Sequence, residues 1–167
     1  MKKITSLFLC LVITLPLLFS CGKEPKEGNK VGDLCYSYTL NKVIGDGADN
    51  ILNYRGDTVI IHFFGTWCED GELDALNRLS KDKRKLTVFA VHTSHQKEEA
   101  EDFINENYKG SDIIFLYDYA VSKQEDKYYT MLGGTDTYPY TLILDKNGVI
   151  TSIKTGSFTY SEIKSLI

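Results

Sequence analysis

Thr58 to Leu79 reads TVIIHFFGTWCEDGELDALNRL. Its first seven residues form an apolar, β-branched run broken only by His62. Such a run predicts a strand covered on both faces, as in a parallel sheet. Gly65 to Trp67 predicts a tight turn, and Leu73, Leu76 and Leu79 then recur every three residues, which predicts a helix from about Asp70 to Ser80. Cys68 stands between strand and helix, where the unpaired N–H groups of a helix start favour a thiolate.

Phe63-Phe64-Gly65-Thr66-Trp67-Cys68 resembles the F-W-A-x-W-C entry to a thioredoxin-type active site. The closer likeness is to the TlpA/ResA (AhpC/TSA-related) branch of thioredoxin-like proteins. Val31 to Leu40 (VGDLCYSYTL) resembles that family's opening V-G-D-x-A-P-D-F-x-L, and Tyr138 to Gly148 resembles its P-T-x-x-x-I-D-x-x-G segment. The resemblance covers Val31 to about Tyr160. It implies an α/β, thioredoxin-like fold: a central mixed β-sheet with helices on both faces and an N-terminal β-hairpin. It also implies that Pro139 is the family's cis-proline and that Tyr138 and Pro139 line a groove for an extended substrate. The family would complete Cys-x-x-Cys, whereas this chain has the degenerate Cys68-Glu69-Asp70-Gly71.

The periodicity independently predicts the same order of elements. Val31–Leu40 alternates as a half-buried strand, with Tyr36, Tyr38 and Leu40 on one side and Cys35, Ser37 and Thr39 on the other. Asn41 to Asp57 predicts a hairpin and connecting loop. Leu86–Val91 predicts a second buried strand. Gln96–Lys109 predicts an amphipathic helix started by Ser94 and stopped by Gly110. Ile113–Tyr117 predicts a short strand and Lys123–Leu132 a helix. Thr141–Asp145 and Val149–Lys154 flank the hairpin signal Lys146-Asn147-Gly148, and a short helix follows Tyr160.

The chain has 167 residues, and residues 1–20 have the layout of a signal peptide: Lys2 and Lys3, then an apolar run to Phe19. Leu18-Phe19-Ser20-Cys21 resembles a bacterial lipobox, with Cys21 as the lipidated residue. Residues 21–30 read as a polar lipidated tether and 31–167 as one thioredoxin-like domain. The net charge is −4, with no basic stripe along the sequence, which argues against nucleic acid. These features place the protein outside the cytoplasm, membrane-anchored and facing the periplasm or cell surface. Once Cys10 leaves with the signal and Cys21 is lipidated, Cys35 and Cys68 remain as thiols.

The chemistry centres on Cys68 as a lone nucleophile for thiol–disulfide exchange, with protein thiols, disulfides or extended peptides as partners and no cofactor. Glu69 and Asp70 oppose a second negative charge and raise the thiol pKa. Gly71 removes the resolving thiol, so a mixed disulfide would wait for an outside thiol. His62, six residues before Cys68, reads as a neutral core histidine with one hydrogen bond. Two alternatives stand beside exchange. One is a redox-inactive peptide-binding protein using the Tyr138–Pro139 groove. The other is a copper- or zinc-handling protein using Cys68 with His92 or His95, although those histidines read first as exposed loop residues. Cys35 is a further candidate as a distant resolving partner, subject to disulfide geometry.

Overall fold

The protein was analysed as a computed structural model, which describes residues 24–68, 71–93, 96–119 and 127–167. The signal segment, Cys21, Glu69, Asp70, Ser94, His95, the Cys68 side chain and the first part of the helix expected from Lys123 lie outside the described residues.

The chain forms β1 (Glu27–Gly28), β2 (Leu34–Cys35), β3 (Thr39–Lys42), β4 (Ala48–Asn50), β5 (Thr58–Phe64), α1 (Glu72–Asp82), β6 (Leu86–His92), α2 (Lys97–Asn107), β7 (Ile114–Tyr117), α3 (Tyr128–Met131), β8 (Tyr140–Leu144), β9 (Ile150–Thr155) and α4 (Tyr160–Lys164). Seven strands make a mixed sheet ordered β4-β3-β7-β6-β5-β8-β9. β5, β6 and β7 are parallel, β8 runs antiparallel to β5, and β3–β4 is an antiparallel hairpin on the far edge.

Strand β5 sits centrally because nearly every side chain along it is apolar, and both its faces are covered. Ile60 and Phe64 join Leu73, Leu76 and Leu79 of α1, Ala100 and Ile104 of α2 and Ile163 of α4 in one core layer. Val59, Ile61 and Phe63 join Tyr128, Tyr129 and Leu132 around α3 in the other. The three α1 leucines are completely buried, each contributing about 1.5–3 kcal/mol by removal from water. Helix α4 starts on a capping box, in which the Thr159 hydroxyl accepts from the Glu162 N–H and Glu162 accepts from the Thr159 N–H. The turn after β8 closes as the Asn-Gly signal predicts: Gly148 adopts φ +83° and donates to the Asp145 carbonyl.

Three expectations change in detail. The single strand expected over Val31–Leu40 is split, because β2 bridges to the β8–β9 turn while β3 pairs with β7 and β4. The split turns Cys35 inward, into the same core layer that Tyr36, Tyr38 and Leu40 pack against, rather than onto the opposite side. Pairing also extends into the stretch read as tether: β1 runs parallel to β2, with Glu27 opposite Leu34 and Gly28 opposite Cys35. Helix α2 begins after Gln96, which makes no side-chain capping bond, and unwinds past Tyr108 into Gly110 at φ +78°.

Candidate active site

Parallel β5 and β6 both end at the same edge of the sheet, and β8 begins there. That edge therefore collects the Thr66–Cys68 turn, His92 and Thr93, and Tyr138-Pro139. Leaving β5, the chain passes Gly65, where a Cβ would approach the Trp67 ring to 2.5 Å, so only glycine lets the indole fold back over the strand end. Thr66–Cys68 form a single 3-10 turn, which presents the Cys68 backbone at the edge of the sheet. The Thr66 hydroxyl donates to the Glu99 carboxylate and so ties this turn to α2.

Trp67 is 62% exposed. Its ring meets Tyr138 edge-on at 6.1 Å, and Tyr138 stacks on Tyr129 at 4.7 Å. Between them the Tyr138–Pro139 peptide is cis. Tyr138 also hydrogen-bonds to Thr93, and Lys127 donates from Nζ to the Thr93 carbonyl at 3.1 Å. The aromatic ledge is thus fixed from both sides.

Gly71 caps α1 with φ +97° and ψ 8°, a left-handed conformation that L residues rarely adopt. The position a resolving cysteine would take is therefore not simply missing its thiol. Its backbone lies in a region a side chain disfavours.

His62 is fully buried, with Nδ1 2.9 Å from the Thr141 hydroxyl, as expected for a core histidine with one hydrogen bond. Burial pushes its pKa down to about 4, opposed by the charge of Glu72, the first residue of α1, itself only 1% exposed. His92 corrects the expectation of exposed loop histidines: it is the last residue of β6 and is completely buried. Its ring stacks on Tyr117 at 6.3 Å and is met edge-on by Phe64 and Trp67. Neither ring nitrogen has a hydrogen-bond partner among the described residues. Burial lowers its pKa to about 4, with Glu99 opposing. Both histidines are neutral at physiological pH.

Cys35 lies on the Phe63 and Tyr128 side of the sheet, fully buried as a free thiol, with Sγ 3.2 Å from the Tyr128 hydroxyl. Burial pushes its pKa up to about 11. A closed, protonated thiol has no path to a mixed disulfide, so the structure does not bring Cys35 to Cys68 as a resolving partner. Among the described residues no three His, Cys, Asp or Glu side chains gather as a metal site.

Sequence reasoning missed three residues at this edge. Glu72 is one, and burial of a helix-start acid carries no local sequence signal. Thr141 is another. Asp118 is the third: only 2% exposed, it accepts from the N–H groups of Tyr128 at 3.0 Å and Tyr129 at 2.7 Å, which fastens α3 to the end of β7. Burial raises its pKa despite those bonds.

No family model matches the chain. Among curated proteins it is 27% identical over 175 residues to "Thiol-disulfide oxidoreductase ResA" of Geobacillus thermodenitrificans, covering 98% of this chain and 95% of that one. It is 28% identical over 153 residues to "Thioredoxin-like protein YneN" of Bacillus subtilis, covering 88% and 84%. Among solved structures, a DsbF homologue from Corynebacterium diphtheriae superposes with a TM-score of 0.67 at 20% identity, over 88% of this chain and 94% of that one, a likeness of fold. With near full-length relatives at 27–28% identity, the mixed sheet and a tryptophan–cysteine turn facing the Tyr138–Pro139 segment, the chain is similar to the ResA-like thiol–disulfide oxidoreductases and shares the thioredoxin-like fold.

Proposed function

We propose that the protein is a membrane-anchored thiol–disulfide exchange protein that works outside the cytoplasm through one cysteine, Cys68. The observation that carries this reading is the placement of the Trp67-Cys68 turn at the sheet edge, opposite Tyr138-Pro139, in a chain whose relatives include proteins named thiol-disulfide oxidoreductases. In the proposed step the Cys68 thiolate attacks one sulfur of a substrate disulfide. One S–S bond forms as another breaks, and the departing thiolate takes up a proton from solvent. The left-handed Gly71 supplies no second thiol and Cys35 is closed off, so an external thiol completes the cycle. Glu69 and Asp70 follow Cys68 directly in the sequence, and their charges oppose a second negative charge beside them. The Trp67–Tyr138 ledge and the backbone beside Pro139 receive an extended peptide. Anchoring rests on the lipobox-like Leu18 to Cys21, with lipid on Cys21.

The test is the pH dependence of Cys68 alkylation in the chain from residue 22 with Cys35→Ser, followed by mixed-disulfide formation with oxidised glutathione. Reaction with a thiol pKa below about 8.5 and ready mixed-disulfide formation is expected. An inert thiol, together with peptide binding unchanged by Cys68→Ser, would replace exchange with the peptide-binding reading.

A further inference from the structure

The end of the sheet opposite Cys68 carries an unusual concentration of cations. Lys81, Lys83, Arg84 and Lys85 leave the end of α1, Lys146 comes from the β8–β9 turn, and Arg55 precedes β5. The Gly56 N–H donates to the Lys146 carbonyl at 2.8 Å and the Thr58 N–H to the Lys85 carbonyl at 3.0 Å, which draws the three segments together. Lys83, Arg84, Lys85 and Lys146 line one open depression of about 330 Å³ with Gly56, Thr58, Leu86 and Ile167. None of these cations makes an ion pair among the described residues. The acids nearby are Asp57, Asp82 and Asp145, with Glu27 and Asp33 from the incoming N-terminal segment, where Asp33 accepts from the Lys30 N–H and Lys26 and Lys30 add their own charges. Asp82 accepts from the Tyr160 hydroxyl, and Asp145 from the N–H groups of Asn147 and Val149. In a chain of net charge −4, this face is the basic exception. Four of the six cations lie in one short run, Lys81-Asp82-Lys83-Arg84-Lys85, and the fold brings Arg55 and Lys146 to it from two other segments.

The chain from the N-terminus joins the domain at this same end. The Leu34 N–H donates to the Lys26 carbonyl and the Cys35 N–H to the Gly148 carbonyl, so Lys26 lies beside the β8–β9 turn that carries Lys146. Six residues separate Cys21 from Glu27, a reach of at most about 20 Å. Strand β5, seven residues long, sets the basic face about 20 Å from the Cys68 turn.

We propose that this basic face docks on the anionic phospholipid headgroups of the membrane that holds the chain, and so turns the Cys68–Pro139 edge away from the bilayer. The proposal rests on the anchoring reading above. A short tether holds the face within reach of the headgroups, and its unpaired cations complement their phosphates. The docked orientation leaves the Trp67–Tyr138 edge open to partners in solution instead of facing lipid.

The experiment uses the full chain in vesicles of phosphatidylcholine alone and of phosphatidylcholine with phosphatidylglycerol, with amine acetylation followed residue by residue. Lys83, Lys85 and Lys146 should react about fivefold more slowly on the anionic vesicles. Lys97 and Lys154, at the Cys68 end, should not change. High salt, or Arg84→Glu, should diminish the protection. Trp67, the one tryptophan, should escape quenching by brominated lipid. Equal acetylation on both vesicles, quenching of Trp67, or equal protection by inorganic phosphate without anionic lipid would overturn the proposal. Flotation separates the two readings. A chain that floats with both vesicles but shows no protection refutes the docked face and leaves the anchor standing. One that floats only with anionic vesicles supports the face and removes the anchor, and one that floats with neither refutes both.

Discussion

Gly71→Ala should destabilise the protein by about 1–2 kcal/mol, the cost of a left-handed backbone for an L residue. At an ordinary helix position the same change would stabilise by up to about 1 kcal/mol, so the sign itself is diagnostic. The structure isolates the backbone contribution: among the described residues a Cβ at Gly71 meets nothing within 4 Å, while φ stands at +97°. No clash with a described residue confounds the result, and no side-chain capping bond is lost. Urea unfolding of wild type and variant, with Cys68→Ser in both, measures the difference. In a domain of this length the loss corresponds to a melting temperature lower by roughly 2–8 °C. The same cost attends Gly71→Cys in the reduced protein, so restoring Cys-x-x-Cys here is more than the return of a thiol. A neutral or stabilising Gly71→Ala would refute this reasoning and place Gly71 in an ordinary helical start.

Three further outcomes follow from the buried polar groups. His62 and His92 each have a folded pKa near 4 against 6.5 unfolded, so the unfolded chain binds more protons and stability falls as pH drops from about 6.5 to 4. Each contributes up to about 3 kcal/mol across that window, and His92→Phe should remove about one proton from the slope of stability against pH; an unchanged slope would show that His92 is already charged when folded. Tyr128→Phe removes hydroxyl bonds to Cys35 and to the Tyr36 carbonyl and should cost about 1–3 kcal/mol by chemical denaturation, while Cys35 stays unreactive toward alkylating agents until the protein unfolds. Thr141→Val leaves His62 Nδ1 without its partner and should cost about 1–3 kcal/mol, visible as a lower urea midpoint with an unchanged m-value.

Much of the fold is legible in the sequence because its strongest signals are local. The β5 run, the leucine spacing of α1 and the Asn147-Gly148 turn each satisfy one periodicity or one turn geometry, and each appears where expected. The break between β2 and β3 is different, because only pairing partners far along the chain decide where one strand stops. The site divides in the same way. The Trp67-Cys68 turn and Pro139 can be read from motif and spacing. The burial of His92 cannot, since the flanking Thr93 and Ser94 read as the start of a polar loop. What covers His92 is Trp67 and Phe64 from another segment and Tyr117 from a third. Asp118 and the α3 amides it binds are ten and eleven residues apart, beyond any local pattern.

The departures from a dithiol site are physically connected. In a Cys-x-x-Cys protein, a second thiol under the helix start needs a nearby group to accept its proton. Here the residue in that place is left-handed Gly71, and the buried group six residues before Cys68 is a histidine that burial keeps neutral. His62 is committed at Nδ1 to Thr141 on the neighbouring strand, and its ring meets Phe158 edge-on. It is therefore fixed as part of the core and poorly disposed to exchange protons near neutrality. Losing the second thiol, holding the backbone at Gly71 left-handed and holding a neutral histidine beneath the helix all remove the machinery of resolution. They lie apart from the outer face, where Trp67 meets Tyr138 edge-on beside the cis Pro139 peptide. On the exchange reading proposed above, a partner is received at that exposed aromatic edge, and its release then depends on a thiol from outside.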